Sequence, residues 1–234
     1  MRNQNARLAC SFIFLVALSL NAASDSSQLR LSTVSRADLC VTEGAIAELP
    51  GHRLSVSFPK MRAYLDARTT PSVEVRFKYL GPTTGDEARL GSGELRRQFG
   101  LKLRAQDACN LGYAMRRIEP ESKLVVSVKT NPGQHSSAEC GNRGYQNIKP
   151  RHSSPVPTLH PGEAHTLRAA LNGTEMQVFV DEGLVWEGSV GPEVLNFDGL
   201  VGIRSDNATL DLELRTSPPR GEAEGCRSGR ENSD

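Results

Sequence analysis

The stretch from Glu163 to Asp206 constrains this chain most. Segments in which every second residue is apolar are separated by Asn172-Gly173 and Glu182-Gly183, and a further one opens at Gly199 after a short loop. Leu167, Ala169 and Leu171 oppose Thr166 and Arg168. Met176, Val178 and Val180 oppose Gln177 and Phe179. Leu184 and Trp186 oppose Val185 and Glu187, and Val201 and Ile203 oppose Arg204. A period of two punctuated by Asn-Gly is the pattern of an antiparallel meander with one dry face.

The same code runs through the rest of the chain. Leu54, Val56 and Phe58 form one apolar set; Met61, Ala63 and Leu65 form another, alternating with Arg62 and Tyr64. Val73, Val75, Phe77 and Tyr79 alternate with Glu74, Arg76 and Lys78; Phe99, Leu101 and Leu103 alternate with Gln98, Lys102 and Arg104. Tyr113 and Met115 read as inward, with Ala114 and Arg116 outward. Leu124, Val126 and Val128 face away from Ser127 and Lys129, and Leu210, Leu212 and Leu214 from Asp211, Glu213 and Arg215. About eleven strands at this spacing predict an all-β fold, a two-sheet antiparallel jelly-roll sandwich over residues 40–216. No long amphipathic helix is evident; residues 43–49 read as a turn of helix or an edge strand. Two connections are long, 81–97 and 130–163. Such loops in a compact domain are usually functional or cross-linked, and the second carries Cys140.

Both ends differ from the middle. Arg2 and Arg7 precede an apolar run, Leu8–Leu20, too short to span a bilayer comfortably; Ala22-Ala23-Ser24 follows. Residues 1–24 therefore read as a signal peptide, which implies a secreted or periplasmic product with no membrane span in the mature chain. Cys10 lies before the apolar run, out of place for lipidation, and leaves with the leader. Residues 25–39 read as a flexible lead-in and 217–234 as a flexible polar tail. Of 28 basic side chains the leader takes two, leaving 26 against 27 acidic. No global field for nucleic acid results.

Four cysteines remain after export, an even number that favours disulfides. Cys109 and Cys140 flank the predicted strands at 111–118 and 123–129 and are expected to pair. Cys40 and Cys226 lie at opposite ends of the folded region, which meet if the first and last strands are neighbours. The alternative, a metal site, lacks any Cys-x-x-Cys.

The wording of the last strands carries a resemblance. Asn172 to Gly188, then Gly199-Leu-Val-Gly-Ile-Arg-Ser-Asp through Leu214, resembles the C-terminal strands of concanavalin A-like lectin/glucanase domains, in particular laminin-G-like and 3-keto-disaccharide hydrolase-type modules. Here the turn Asp181-Glu182-Gly183 is one residue longer than the usual form. The stretch Gly91–Asn110 looks like a group of exported bacterial proteins. The resemblance could cover about 54–216 and is specific for architecture, since the fold hosts lectins, hydrolases and adhesion modules. It also implies calcium on rim loops, for which Asp86, Asp107 and Asp206 are candidate ligands.

No catalytic constellation stands out. The sandwich glucanases carry Glu-x-Asp-x-x-Glu on one strand; only Asp211-Leu-Glu213 approaches it, and the third acid is missing. Glu74 is a lone strand acid. There is no Gly-x-Ser-x-Gly, and Ser92 between Gly91 and Gly93 reads as a turn. His135, His152, His160 and His165 lack metal-ligand spacing. Asn172-Gly-Thr and Asn207-Ala-Thr match glycosylation acceptors, read as accidental. Arg76, Lys78, Lys102, Arg104, Arg116 and Arg168 fall on predicted wet faces. If several share a sheet they make a basic stripe for an acidic glycan or other anionic partner. Tyr64 and Phe179, also read as outward, could stack on sugar rings, whereas Trp186 reads as core. The expectation is a non-catalytic binding or adhesion module for carbohydrate or a cell-surface glycan, with no metal and no catalytic residue assigned. The alternatives are a glycoside hydrolase and a structural surface protein without a small ligand.

Overall fold

The computed structural model describes residues 31–68, 71–218 and Cys226. Among them the chain forms strands β1 (Ser32–Thr33), β2 (Leu39–Glu43), β3 (Ala47–Leu49), β4 (Arg53–Val56), β5 (Lys60–Leu65), β6 (Ser72–Pro82), β7 (Arg97–Ala105), β8 (Leu111–Glu119), β9 (Lys123–Lys129), β10 (Tyr145–Asn147), β11 (His152–Ser153), β12 (Ala164–Asn172), β13 (Glu175–Val180), β14 (Gly183–Ser189), β15 (Leu200–Asp206) and β16 (Ala208–Thr216). A single helical turn, α1 (Ser137–Cys140), precedes β10. One sheet runs β11-β14-β13-β12-β6-β16-β4-β3, with β1 also on β16; the other runs β10-β9-β8-β7-β15-β5-β2. All pairings are antiparallel.

The all-β sandwich is thus the observed fold. The eleven expected strands are all present, and the additional ones are short or lie at edges. Residues 43–49 supply the edge strand β3 rather than a helical turn. The sheet also begins earlier than Cys40. Ser32 pairs with Thr216, and the Val34 amide donates to the Leu214 carbonyl at 2.9 Å, with Val34 buried. The expected signal peptide, the start of the lead-in and most of the polar tail lie outside the described residues.

The core follows the period-two code. Val73, Val75 and Phe77 of β6 and Phe99, Leu101 and Leu103 of β7 meet between the sheets, where the Phe77 and Phe99 rings lie 4.5 Å apart. Trp186 joins this core. In the meander, Leu167 pairs with Val180, Ala169 with Val178 and Leu171 with Met176. The next turn is tighter than the wording implied. Val180 pairs with Gly183, so Asp181 and Glu182 alone form the loop, at φ of 48° and 67°. Two left-handed residues match the twist of a tight hairpin, and Asp181 anchors the turn by accepting the Thr166 amide at 2.8 Å.

Strand β8 runs against the sequence reading. Met115 pairs with Gly100, Ala114 with core Leu101, and Tyr113 with Lys102. Ala114 and Arg116 therefore point inward, while Tyr113, Met115 and Arg117 stand on the outer face. Arg116 is buried at the end of the sandwich. It donates to the Arg117 and Pro157 carbonyls and to the Ser122 hydroxyl, and burial pushes its pKa down to about 10. Outward Tyr and Met mimic a core stripe, which is what alternation alone cannot distinguish.

Both expected disulfides form, Cys40–Cys226 and Cys109–Cys140. The second closes a loop 31 residues long. Replacing Cys109 and Cys140 by serine is expected to lower the unfolding free energy by about 3–4 kcal/mol in the chain-entropy model. A urea melt checks this, and an unchanged midpoint would contradict it.

Candidate functional site

Cross-strand register sorts the outer face of the seven-stranded sheet into rows. One runs Asn147, Ser127, Tyr113, Lys102, Gly202, Tyr64, Cys40. The next runs Val125, Met115, Gly100, Arg204, Arg62, and a third Lys123, Arg117, Gln98, Asp206, Lys60. Gly100 and Gly202 lie in the middle, where a Cβ would strike the backbone of a neighbouring strand. The floor is therefore low at its centre and rimmed by long side chains.

Those side chains are mostly cationic, and Asp206 organises two of them. Arg62 donates to its Oδ1 at 2.6 Å; Gln98 and Arg204 donate to its Oδ2 at 2.8 and 3.2 Å. Arg62 also donates to the Met61 and Ser205 carbonyls. Burial pushes the Asp206 carboxyl up, but Arg204, Arg62 and the Gln98 hydrogen bond outweigh it and hold the pKa at about 2. Arg204 lies over the Tyr113 ring, 5.3 Å from its centroid, and the Tyr113 and Tyr145 rings stack at 5.9 Å. Lys129 is buried, donates to the Ala108 carbonyl at 2.9 Å and sits 4.9 Å from the Tyr145 centroid. Tyr145 itself is 41 % exposed.

The two long loops roof this floor. A hairpin closes between Arg89 and Leu95, and its feet are fixed by Asn207. The Asn207 amide accepts from Ala88 N–H at 2.8 Å and donates to the Ala88 and Arg96 carbonyls at 2.7 and 2.9 Å. From the other side comes the segment 130–144, held by the Cys109–Cys140 disulfide and by Asn131, which donates to the Cys109 and Arg143 carbonyls. In it, Glu139 accepts the His135 and Ser136 amides and the Ser136 hydroxyl, which hold its carboxyl at about 2. His135 is raised above its ordinary value by Asp107, 2.8 Å away.

Between floor and roof is a cavity of about 470 Å³. Its lining includes Lys60, Arg62, Arg96, Arg117, Lys129 and Arg204 and no Asp or Glu. Arg96 pairs with Glu94 outside it. Arg117 makes no salt bridge among the described residues; burial first, then neighbouring Arg96, lowers its pKa. The Nε–H groups of Arg96 and Arg117 are buried without hydrogen-bond partners. A buried N–H without a partner costs free energy.

The sequence-predicted residues are divided between the sheets. Lys102 and Tyr64 lie on the cavity-bearing sheet, both buried, Tyr64 beside Cys40 and Leu200. Arg104 folds away to the Phe197 and Leu195 carbonyls. Arg116 is inside the sandwich. Arg76, Lys78 and Arg168 stand on the outer face of the other sheet, where Arg76 meets Glu74 and Arg168 covers Phe179 at 4.1 Å. Asp211 is bound by Arg53, and Glu213 accepts from Thr33 and meets Arg215. Glu74 also accepts from Arg215. Of the calcium candidates, Asp107 is engaged by His135, Asn110 and the Cys109 amide, and Asp206 by its arginines; Asp86 lies in an exposed turn. The cavity's Arg62, Arg96, Arg117, Lys129 and Arg204 were not singled out from sequence, although alternation had already turned Arg62, Lys129 and Arg204 outward.

No family model matches the chain, and no curated protein matches it. Solved structures do. A carbohydrate-binding module, CBM66, from Bacillus subtilis aligns over 75 % of this chain and 91 % of its own at 17 % identity and a TM-score of 0.46. A putative glycosyl hydrolase from Parabacteroides distasonis aligns over 80 % and 99 % at 10 % identity and 0.47. The Crh5 transglycosylase aligns over 82 % and 85 % at 11 % identity and 0.48.

Asp206 has a testable signature. Its pKa is depressed from an ordinary 3.8, so its stabilisation is complete above that value and lost as pH falls through about 2. The stability gap between wild type and Asp206→Asn is expected to shrink by about 2 kcal/mol from neutral pH to about pH 2. Parallel pH profiles in urea melts would contradict this.

Proposed function

We propose that this protein is a secreted or periplasmic, non-catalytic binding module whose roofed cavity takes an acidic saccharide bearing carboxylate groups. The carrying observation is the lining, six cationic side chains and no acid, with Tyr145 open beside it. Guanidinium forks match the two oxygens of a carboxylate. Ser127, Asn142 and Asn147 offer neutral donors and acceptors for hydroxyls, and Tyr145, braced by Tyr113 and Lys129, offers a ring face. The two disulfides fit an oxidising compartment, and no described helix is long and apolar enough to cross a membrane.

Binding is favoured over hydrolysis by the state of Asp206. A general acid for glycoside cleavage needs a raised pKa, whereas this carboxylate is held ionised and its oxygens are taken by Arg62, Arg204 and Gln98. It fits the role of holding arginines in place.

Titration calorimetry with an oligogalacturonate and with a neutral maltooligosaccharide of equal length tests the reading. The acidic chain is expected to bind, more weakly as salt rises. Arg117→Ala is expected to reduce affinity by about 10- to 100-fold, the worth of one charge-assisted hydrogen-bonded contact. Equal binding of the two sugars, or none of either, would overturn it.

A further inference from the structure

The roof carries an inference about which part of a saccharide chain can enter. Its two halves leave the sheet at opposite ends of the strands. The Arg89–Leu95 hairpin runs into the start of β7, where Arg97 pairs with Glu119 and Arg117 with Lys123. The segment 130–144 leaves the end of β9, where Lys129 pairs with Leu111. They meet over the floor at Gly91 and Asn142, both of which line the cavity. Contact there is close enough that a Cβ on Gly91 would collide with the Asn142 amide. The result is a bridge laid along the strand direction, above β7 to β9.

Both piers of the bridge are fixed. One is clamped by the three Asn207 hydrogen bonds to Ala88 and Arg96. The other is bolted by Cys109–Cys140 and capped by Glu139. Two cations, Arg117 of β8 and Lys129 of β9, lie beneath the span and share the cavity with Gly91 and Asn142. A polymer lying across the strands would have to pass under a closed span, which the middle of a chain cannot do without parting Gly91 from Asn142. A chain end can slide in.

Building on the reading of the cavity as an acidic-saccharide site, we infer that it recognises the terminus of an acidic oligosaccharide and not its interior. The terminal sugar lies under the bridge with its carboxylate at Arg96 and Arg117, and the following units leave past Tyr145. Arg96 and Arg117 both line the cavity beside Gly91 and Asn142, and Tyr145 is the exposed ring on the edge strand β10.

The test is a length series of linear oligogalacturonates, from dimer to polymer, with the wild-type protein. Protein molecules bound per saccharide chain are counted by calorimetric stoichiometry and by sedimentation at saturating protein. The expected count stays at one from the shortest binding oligomer to the polymer. A count that climbs in proportion to chain length would overturn end recognition and leave acidic-saccharide binding standing. Absence of binding at every length would overturn both.

Discussion

Strand β15 belongs to one sheet and β16 to the other, and a single residue, Asn207, separates them. That junction is the constraint on which the rest depends. Asn207 takes a left-handed conformation, φ 55°, and is fully buried. Its amide N–H donates to the Pro59 carbonyl at 2.8 Å, and its carbonyl accepts from Thr83. Its side chain clamps the roof hairpin. One position earlier, Asp206 gathers Arg62, Arg204 and Gln98 on the floor. Two consecutive residues thus join the sheets, hold two arginines of the cavity and tie down one pier of its cover. A buried carboxylate with several charge-assisted partners is costly to break, because losing one partner leaves the others' charge without compensation.

Both outer faces pair much of their charge locally. The outer face of the nine-stranded sheet neutralises itself locally: Arg76 with Glu74, Arg53 with Asp211, Arg215 with Glu74 and Glu213. The opposite sheet concentrates cations around a hollow made by Gly100 and Gly202. There Asp206 pairs with Arg62 and Arg204, Glu43 lies near Lys60 and Arg62, and Glu94 pairs with Arg96, while Arg117 makes no salt bridge among the described residues.

Fold and cross-links were legible because they rest on period-two alternation and on where cysteines fall along the strands. The site was legible only in outline. The two long loops announced themselves by length, and they proved to be the two halves of one roof. The basic stripe was foreseen as an idea; of the residues named for it, Arg104 and Arg116 donate to backbone carbonyls, Arg76 meets Glu74, and Arg76 and Lys78 line a second hollow on the other sheet. What hid the cavity was β8. Tyr113 and Met115 are apolar enough to pass for core, yet they stand under the roof, where a half-enclosed face admits the same residue types as an interior. Ala114, small and inward, leaves the packing of β8 to its neighbours. The failure of alternation at that strand coincides with the cavity, as local rules tend to fail where a site is built.

Burial of Asn207 has a consequence for production of the protein. Asn207-Ala-Thr and Asn172-Gly-Thr are both acceptor sequences for N-linked glycosylation, but Asn172 is exposed at a hairpin end and Asn207 is enclosed with its side-chain nitrogen occupied. In a eukaryotic host that modifies nascent chains, a sugar on Asn172 would be carried harmlessly on the surface. One transferred to Asn207 before folding would occupy the nitrogen that ties the hairpin down and prevent the two sheets from closing at their shared corner.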